Sequence, residues 1–100
     1  MNKGIDLSGE GVRELCGRHH IRKLSLFGSV LTDHFRGDSD VDVLVEFQSG
    51  HSVGFIHMAG IERELSEMLG RKVDLRTPAE LSPYFRDQVL EAADIQYAAT

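Results

Sequence analysis

Two aspartates, Asp40 and Asp42, stand one residue apart in the run Asp40-Val41-Asp42-Val43-Leu44-Val45-Glu46-Phe47. Aspartate is depleted in strands, yet this run alternates as a strand does. Val41, Val43, Val45 and Phe47 share one face; Asp40, Asp42, Leu44 and Glu46 share the other. Side chains at such spacing project together, roughly 6.5–7 Å apart at the backbone. Asp74, in Lys72-Val73-Asp74-Leu75-Arg76, has the same polar parity on a later strand. If the two strands are neighbours, three carboxylates converge on one patch, and their mutual repulsion calls for a cation. Hard oxygen ligands that leave room for water and phosphate suit Mg2+ or Mn2+. Two such ions about 3.5–4 Å apart activate a hydroxyl and stabilise a leaving pyrophosphate.

Gly28 and Ser29 precede the aspartates. Glycine lets a backbone approach a ligand closely. A helix starting at Ser29 offers free amides to a phosphate, and the serine hydroxyl adds a donor. Alone, the pair is equally well an ordinary strand-to-helix turn with Ser29 as its cap. Alone, Asp-x-Asp is equally well the solvated face of an edge strand. Together with Asp74 they form the two halves of a phosphoryl or nucleotidyl transfer site. Arg36, in the polar loop between them, is a candidate phosphate contact. Lys72 and Arg76 flank Asp74 and can balance its charge or touch a triphosphate.

The elements that must position these residues follow from periodicity. Val12, Leu15, Cys16 and His19 predict a helix over residues 8–19, with Ser8 as its N-cap. Leu24 and Leu26 alternate with Lys23 and Ser25 in a strand ending at Gly28, and a short helix starts at Ser29. The aspartate strand follows. Residues 53–69 predict the longest helix, with Phe55, Met58, Ile61, Leu65, Met68 and Leu69 inward and Gly70 as its C-cap. Residues 71–77 form a strand with Val73 and Leu75 inward. Residues 84–93 form a last helix with Phe85, Val89 and Ala92 or Ala93 packing, and 94–100 an extended tail. The expectation is an α/β (α+β) sandwich in the order α-β-α-β-α-β-α, with a three-stranded sheet and its helices on one face.

One hundred residues suit one domain, 1–100. The net charge of -5 argues against a general nucleic-acid binder, which shows a basic face. One cysteine makes no internal disulfide, no apolar run reaches the ~20 residues of a membrane span, and the N-terminus lacks a signal-peptide core. A cytoplasmic protein is the expectation. The five histidines and the cysteine lack zinc spacing. His19-His20 reads as a polar helix end instead.

Gly28-Ser29, ten intervening residues and Asp40-Val41-Asp42, followed by a hydrophobic strand and a later Val73-Asp74-Leu75, resemble the signature of the DNA polymerase beta-like nucleotidyltransferases. Nearly the whole chain, from the first helix to the segment 81–93, is similar to their minimal nucleotidyltransferase (MNT) branch. The resemblance implies that Gly28 and Ser29 hold nucleotide phosphates and that Asp40 and Asp42 ligate two Mg2+ ions. It makes Asp74 the third carboxylate, which activates the attacking hydroxyl. The implied fold is a mixed three-stranded sheet flanked by helices. The implied activity is that of an antitoxin which transfers AMP from ATP to a tyrosine of a partner, a helical ribonuclease of the HEPN class. Many relatives carry an arginine soon after Gly-Ser. Here no basic residue comes before His34 and Arg36, which implies either weaker triphosphate contacts from that turn or Arg36 as the substitute. Two other functions fit the same residues: an antitoxin acting by contact alone, and nucleotidyl transfer to a small molecule. The second usually needs a further substrate domain. Base selectivity, the acceptor and assembly as hetero-oligomer or homodimer are left open by the residues.

Overall fold

The computed structural model describes residues 5–31 and 39–99, with Ser29 and Val30 described by their backbone alone. The elements are α1 (Glu10–Arg18), β1 (Ile21–Phe27), a 3-10 turn (Gly28–Leu31), β2 (Val41–Phe47), α2 (Phe55–Leu69), β3 (Val73–Arg76), a second 3-10 turn (Pro78–Glu80), α3 (Arg86–Ala92) and β4 (Asp94–Ala98). Among the described residues no helix is long and apolar enough to cross a membrane.

The sheet is mixed, in the order β3-β2-β1-β4. β1 runs antiparallel to β2 and to β4, and β3 lies parallel to β2. A parallel neighbour needs a crossover, and α2 supplies it. The expected α/β class holds, but the sheet has four strands rather than three. Residues 94–98, expected as an extended tail, pair with β1 from Lys23 to Leu26. Their burial alternates weakly and none is fully buried, so they carry little hydrophobic pattern. Backbone pairing places them, including the Ala99 amide donating to the Arg22 carbonyl at 2.8 Å.

One sheet face makes the core. Leu24 and Leu26, then Val41, Val43 and Val45, then Val73 and Leu75 meet Val12, Leu15 and Cys16 of α1 and Ile61 and Leu65 of α2. Full burial of each such aliphatic chain stabilises the fold by about 1.5–3 kcal/mol. The expected inward stripe of α2 is only partly realised. Ile61 and Leu65 are buried and Met58 and Leu69 pack at the margin, but Phe55 is 91% exposed and Met68 45%. The sheet covers the middle turns of α2, and its first turn carries Phe55 into solvent. α3 likewise buries no residue, contrary to the packing expected of Phe85 and Val89. It is held instead by Arg86, whose guanidinium donates to the carbonyls of Pro78, Ala79 and Leu81.

Side chains of α2 fix the height of β3. Glu62 Oε2 accepts from the Leu75 amide at 2.7 Å, and Ser66 Oγ accepts from the Val73 amide at 3.0 Å. These bonds satisfy amides that an edge strand otherwise leaves open. The α1–α2 joint is polar. His19 lies with Nδ1 2.8 Å from His57 Nε2 and Nε2 2.9 Å from Glu64 Oε1. Hydrogen bonds from His19 and then Arg18 hold the Glu64 carboxyl below the usual carboxylate range. Ser8 does not cap α1. Gly9 occupies that position, while the Ser8 amide and hydroxyl donate to Asp6.

Cys16 is sealed in the core, and burial pushes its thiol up from 9.0 to about 12. The thiolate is the reactive form, so iodoacetamide at mildly alkaline pH is expected to label Cys16 only on unfolding. The sign of the pH effect follows. Between pH 9 and 12 the unfolded chain releases this proton and the native chain keeps it. The contribution is therefore complete below pH 9, and stability falls by up to about 1.4 kcal/mol per pH unit above it. Alkaline urea titrations of the protein and of Cys16→Ala measure the difference. Equal slopes for the two would refute the assignment.

Candidate active site

The register across the sheet brings the proposed chemistry into one row. Phe27 of β1 is the partner of Asp42 on β2, and Asp42 is the partner of Asp74 on β3. Adjacent strands lie about 4.7–4.9 Å apart, so Asp42 and Asp74 are direct lateral neighbours with the same side-chain parity. The Asp40, Asp42, Leu44 and Glu46 face is not polar along its whole length. Leu44 is only 2% exposed and its partner Ser25 only 4%, so they separate the end that holds Asp42 from the end where Glu46 pairs with Arg22 and Lys23.

Gly28 closes the other side of Asp42. Its φ is +77°, and a Cβ built on it would lie 2.3 Å from Asp42 Oδ2. The carboxylate thus rests where any other residue would place its first side-chain carbon. From Gly28 the backbone enters the 3-10 turn, with Ser29 as its second residue.

The start of β2 is stitched to the start of β3. The Val41 amide donates to the Lys72 carbonyl at 2.9 Å, and the Arg71 guanidinium donates to the Ser39 carbonyl at 2.8 Å. Asp40, just before the strand, is exposed, with Oδ2 4.0 Å from Lys72 Nζ. Asp74 accepts from Arg76 Nε at 3.3 Å and Nη2 at 3.2 Å. Arg76 thus balances Asp74 as expected, whereas Lys72, expected beside Asp74, pairs with Asp40 instead. Arg36 lies outside the described residues.

Among the described residues no three His, Cys, Asp or Glu side chains form a ready-made metal cage. The donor set nonetheless suits a hard cation. Mg2+ is commonly held by one or two carboxylates together with water and substrate phosphates. Asp42 and Asp74 offer such oxygens side by side, and Asp40 lies two residues from Asp42 on the same strand parity.

Two grooves lie near the two ends of this row. One, of about 670 Å³, lies between the end of β1 and α3 and is lined by Phe27, Gly28, Leu31, Gln88 and Val89 among others. The other, of about 490 Å³, lies between α2 and β3 and includes Asp74, Arg76, Phe55 and Met58. Sequence periodicity identified neither. Phe55 read as core, and the residues at the α3–β4 junction carried no motif.

Comparison with known proteins bears on this arrangement. The family model described as nucleotidyltransferase domain matches residues 10–95. The chain is 33% identical over 78 residues to the protein adenylyltransferase MntA of Thermococcus cleftensis, covering 78% of this chain and 77% of that one. It is similar to a solved structure provisionally named a minimal nucleotidyltransferase, at 36% identity and a TM-score of 0.68, covering 90% of this chain and 95% of that one. It also shares a fold with a chain from the complex of a tri-AMPylated Shewanella oneidensis HEPN toxin with an MNT antitoxin. There the identity is 19% and the TM-score 0.64, with coverage of 93% and 71%.

Proposed function

Because the chain belongs to the nucleotidyltransferase domain family, we propose that it transfers AMP from ATP to a tyrosine hydroxyl of a HEPN-type ribonuclease and acts as that toxin's antitoxin. The observation that carries the reading is the row Gly28–Asp42–Asp74: a side-chain-free turn against one carboxylate, with a second carboxylate in register beside it. A named protein adenylyltransferase among the relatives, and an AMP-bearing HEPN toxin in a complex of the same fold, support the choice of AMP and of a protein acceptor.

In this reading the turn at Gly28 and Ser29 brings backbone amides to the β- and γ-phosphates, with Arg36 as a further contact. Mg2+ or Mn2+, in two ions when bound, would be held by Asp40 and Asp42 with Asp74 beside them, and supplies neutralisation of the triphosphate charge. Asp74 takes the proton from the attacking hydroxyl, and Arg76 holds that carboxylate in place. The hydroxyl oxygen bonds to the α-phosphorus. The bond from that phosphorus to the α,β-bridging oxygen breaks, and pyrophosphate leaves with the electron pair. Attacking and leaving oxygens lie roughly in line.

The test is intact-mass spectrometry of a HEPN ribonuclease, taken from the same source as the chain, after incubation with the chain, ATP and Mg2+. The expected result is a gain of one or more AMP units together with loss of nuclease activity. A partner silenced without any mass change would replace this reading with inhibition by contact.

A further inference from the structure

We infer that Glu62 and Ser66 of α2 are positioning residues for the transfer step: they grip β3 by the two amides that flank Asp74 and so hold its carboxylate level with Asp42. This rests on the transfer reading above and adds what sets the spacing of its two central carboxylates.

β3 is four residues long and lies at the edge of the sheet, with β2 as its one strand neighbour. Along a parallel strand, successive residues turn their amides and carbonyls to opposite sides. The Lys72 carbonyl faces β2, where it accepts from the Val41 amide. Asp74 therefore faces β2 as well, and the amides of Val73 and Leu75 face outward. Both of these cross to α2: the Val73 amide donates to Ser66 Oγ at 3.0 Å and the Leu75 amide to Glu62 Oε2 at 2.7 Å. The Leu75 bond ends on a carboxylate, which makes it the stronger kind. Ser66 Oγ is itself anchored, since its hydroxyl donates to the Glu62 carbonyl at 2.8 Å.

Burial and hydrogen bonding constrain Asp74 in different ways. Val73 and Leu75 are buried, so a one-residue slip would turn Asp74 into the core, and burial decides which face the aspartate takes. Apolar contact is non-directional, however, and leaves the height of the strand loose. Hydrogen bonds are directional and fix that height. The spacings of the two elements match. Four helix residues rise about 6 Å and two strand residues about 6.6 Å, so Glu62 and Ser66 reach both amides at once. Glu62, the earlier residue in α2, meets Leu75, the later one in β3. A slide of β3 in either direction strains both bonds together. Such a grip matters at a reacting centre, where a misplacement of about 1 Å can cost about a hundredfold in rate.

Two measurements test this. The first is steady-state AMP transfer to a HEPN ribonuclease, read well below each melting temperature so that every variant is folded. Glu62→Leu is expected to lower kcat about tenfold, with KM for ATP and for the protein acceptor within about twofold of wild type. Glu62→Gln keeps an acceptor oxygen and should recover kcat to within about threefold of wild type. Ser66→Ala should lower kcat about threefold. An unchanged kcat in Glu62→Leu, or a Gln variant as slow as the Leu variant, overturns the assignment. Should Glu62→Leu fail to fold, Ser66→Ala decides, and an unchanged kcat there overturns it. The second measurement is amide hydrogen exchange without ATP. Val73 and Leu75 should exchange at least about tenfold faster in Glu62→Leu, with the amides of β1 unchanged. Uniform acceleration across the sheet, or none, refutes the grip. This arm needs no turnover. A wild type that transfers no AMP would sink the transfer reading, and a loss of protection confined to Val73 and Leu75 would still keep α2 as the element that places Asp74.

Discussion

Asp42→Asn is expected to lower AMP transfer by about a thousandfold or more while leaving the fold intact. The carboxylate stands at the centre of the row, between the bare Cα of Gly28 and the laterally paired Asp74. Asparagine keeps the shape and loses the charge. On the proposed function a hard cation would lose an anionic oxygen, and charge stabilisation of several kcal/mol would be at stake, which corresponds to three orders of magnitude or more. The packing cost is small, because Val41 and Val43 on the opposite parity carry the core contacts of β2. The same substitution at Asp40 should cost less. Asp40 lies before the strand and is exposed beside Lys72, so water and neighbouring carboxylates can replace part of its contribution. Initial rates of AMP incorporation, read beside thermal unfolding, check both. Equal losses at Asp40 and Asp42 would contradict the central position given to Asp42. Undiminished neutralisation of the partner by an inactive Asp42→Asn would show that silencing works by contact.

The parts of this site that could be read in the sequence are those with a period or a spacing. Strict alternation from Asp40 to Phe47 placed the valines in the core, and the burial of Val41, Val43 and Val45 agrees. The parity of Asp74 predicted a neighbour for Asp42 only on the condition that the two strands pair, and they pair in register. Gly70 was legible as a C-cap, and its φ of +67° is the left-handed conformation that glycine adopts at low cost. What escaped was set by contacts between elements. β4 has only a weak burial alternation, with Tyr97 half-buried against the core, and is held mainly through backbone bonds to β1. Phe55 fits the helical stripe of α2 by number, but the sheet does not extend beneath the first turn. α3 carries an apolar spacing that stays at the surface, since Arg86 anchors the segment by hydrogen bonds to carbonyls. No local pattern records where a sheet stops.

The contact between Gly28 and Asp42 belongs to that second class and leads to the other large effect. Gly28→Ala is expected to destabilise the protein by about 2–5 kcal/mol and to cut transfer more than a hundredfold. Two costs act together. An L-residue at φ +77° carries about 1–2 kcal/mol of backbone strain. The new Cβ meets Asp42 Oδ2 at 2.3 Å, so the carboxylate must swing away, an overpacking cost of roughly 1–3 kcal/mol. The activity loss comes from the second cost, because the swing moves the central carboxylate out of the row it shares with Asp74. A double-mutant cycle separates the two. In an Asp42→Ala background the contacts with Oδ2 and Cγ are gone and only the 3.3 Å approach to Cβ remains, so Gly28→Ala should cost little beyond the backbone share, about 1–2 kcal/mol. The coupling between the positions, measured by urea unfolding of the four proteins, then equals the clash. Strict additivity would mean that the glycine serves its turn alone, and that the close seat of Asp42 against it has no energetic content.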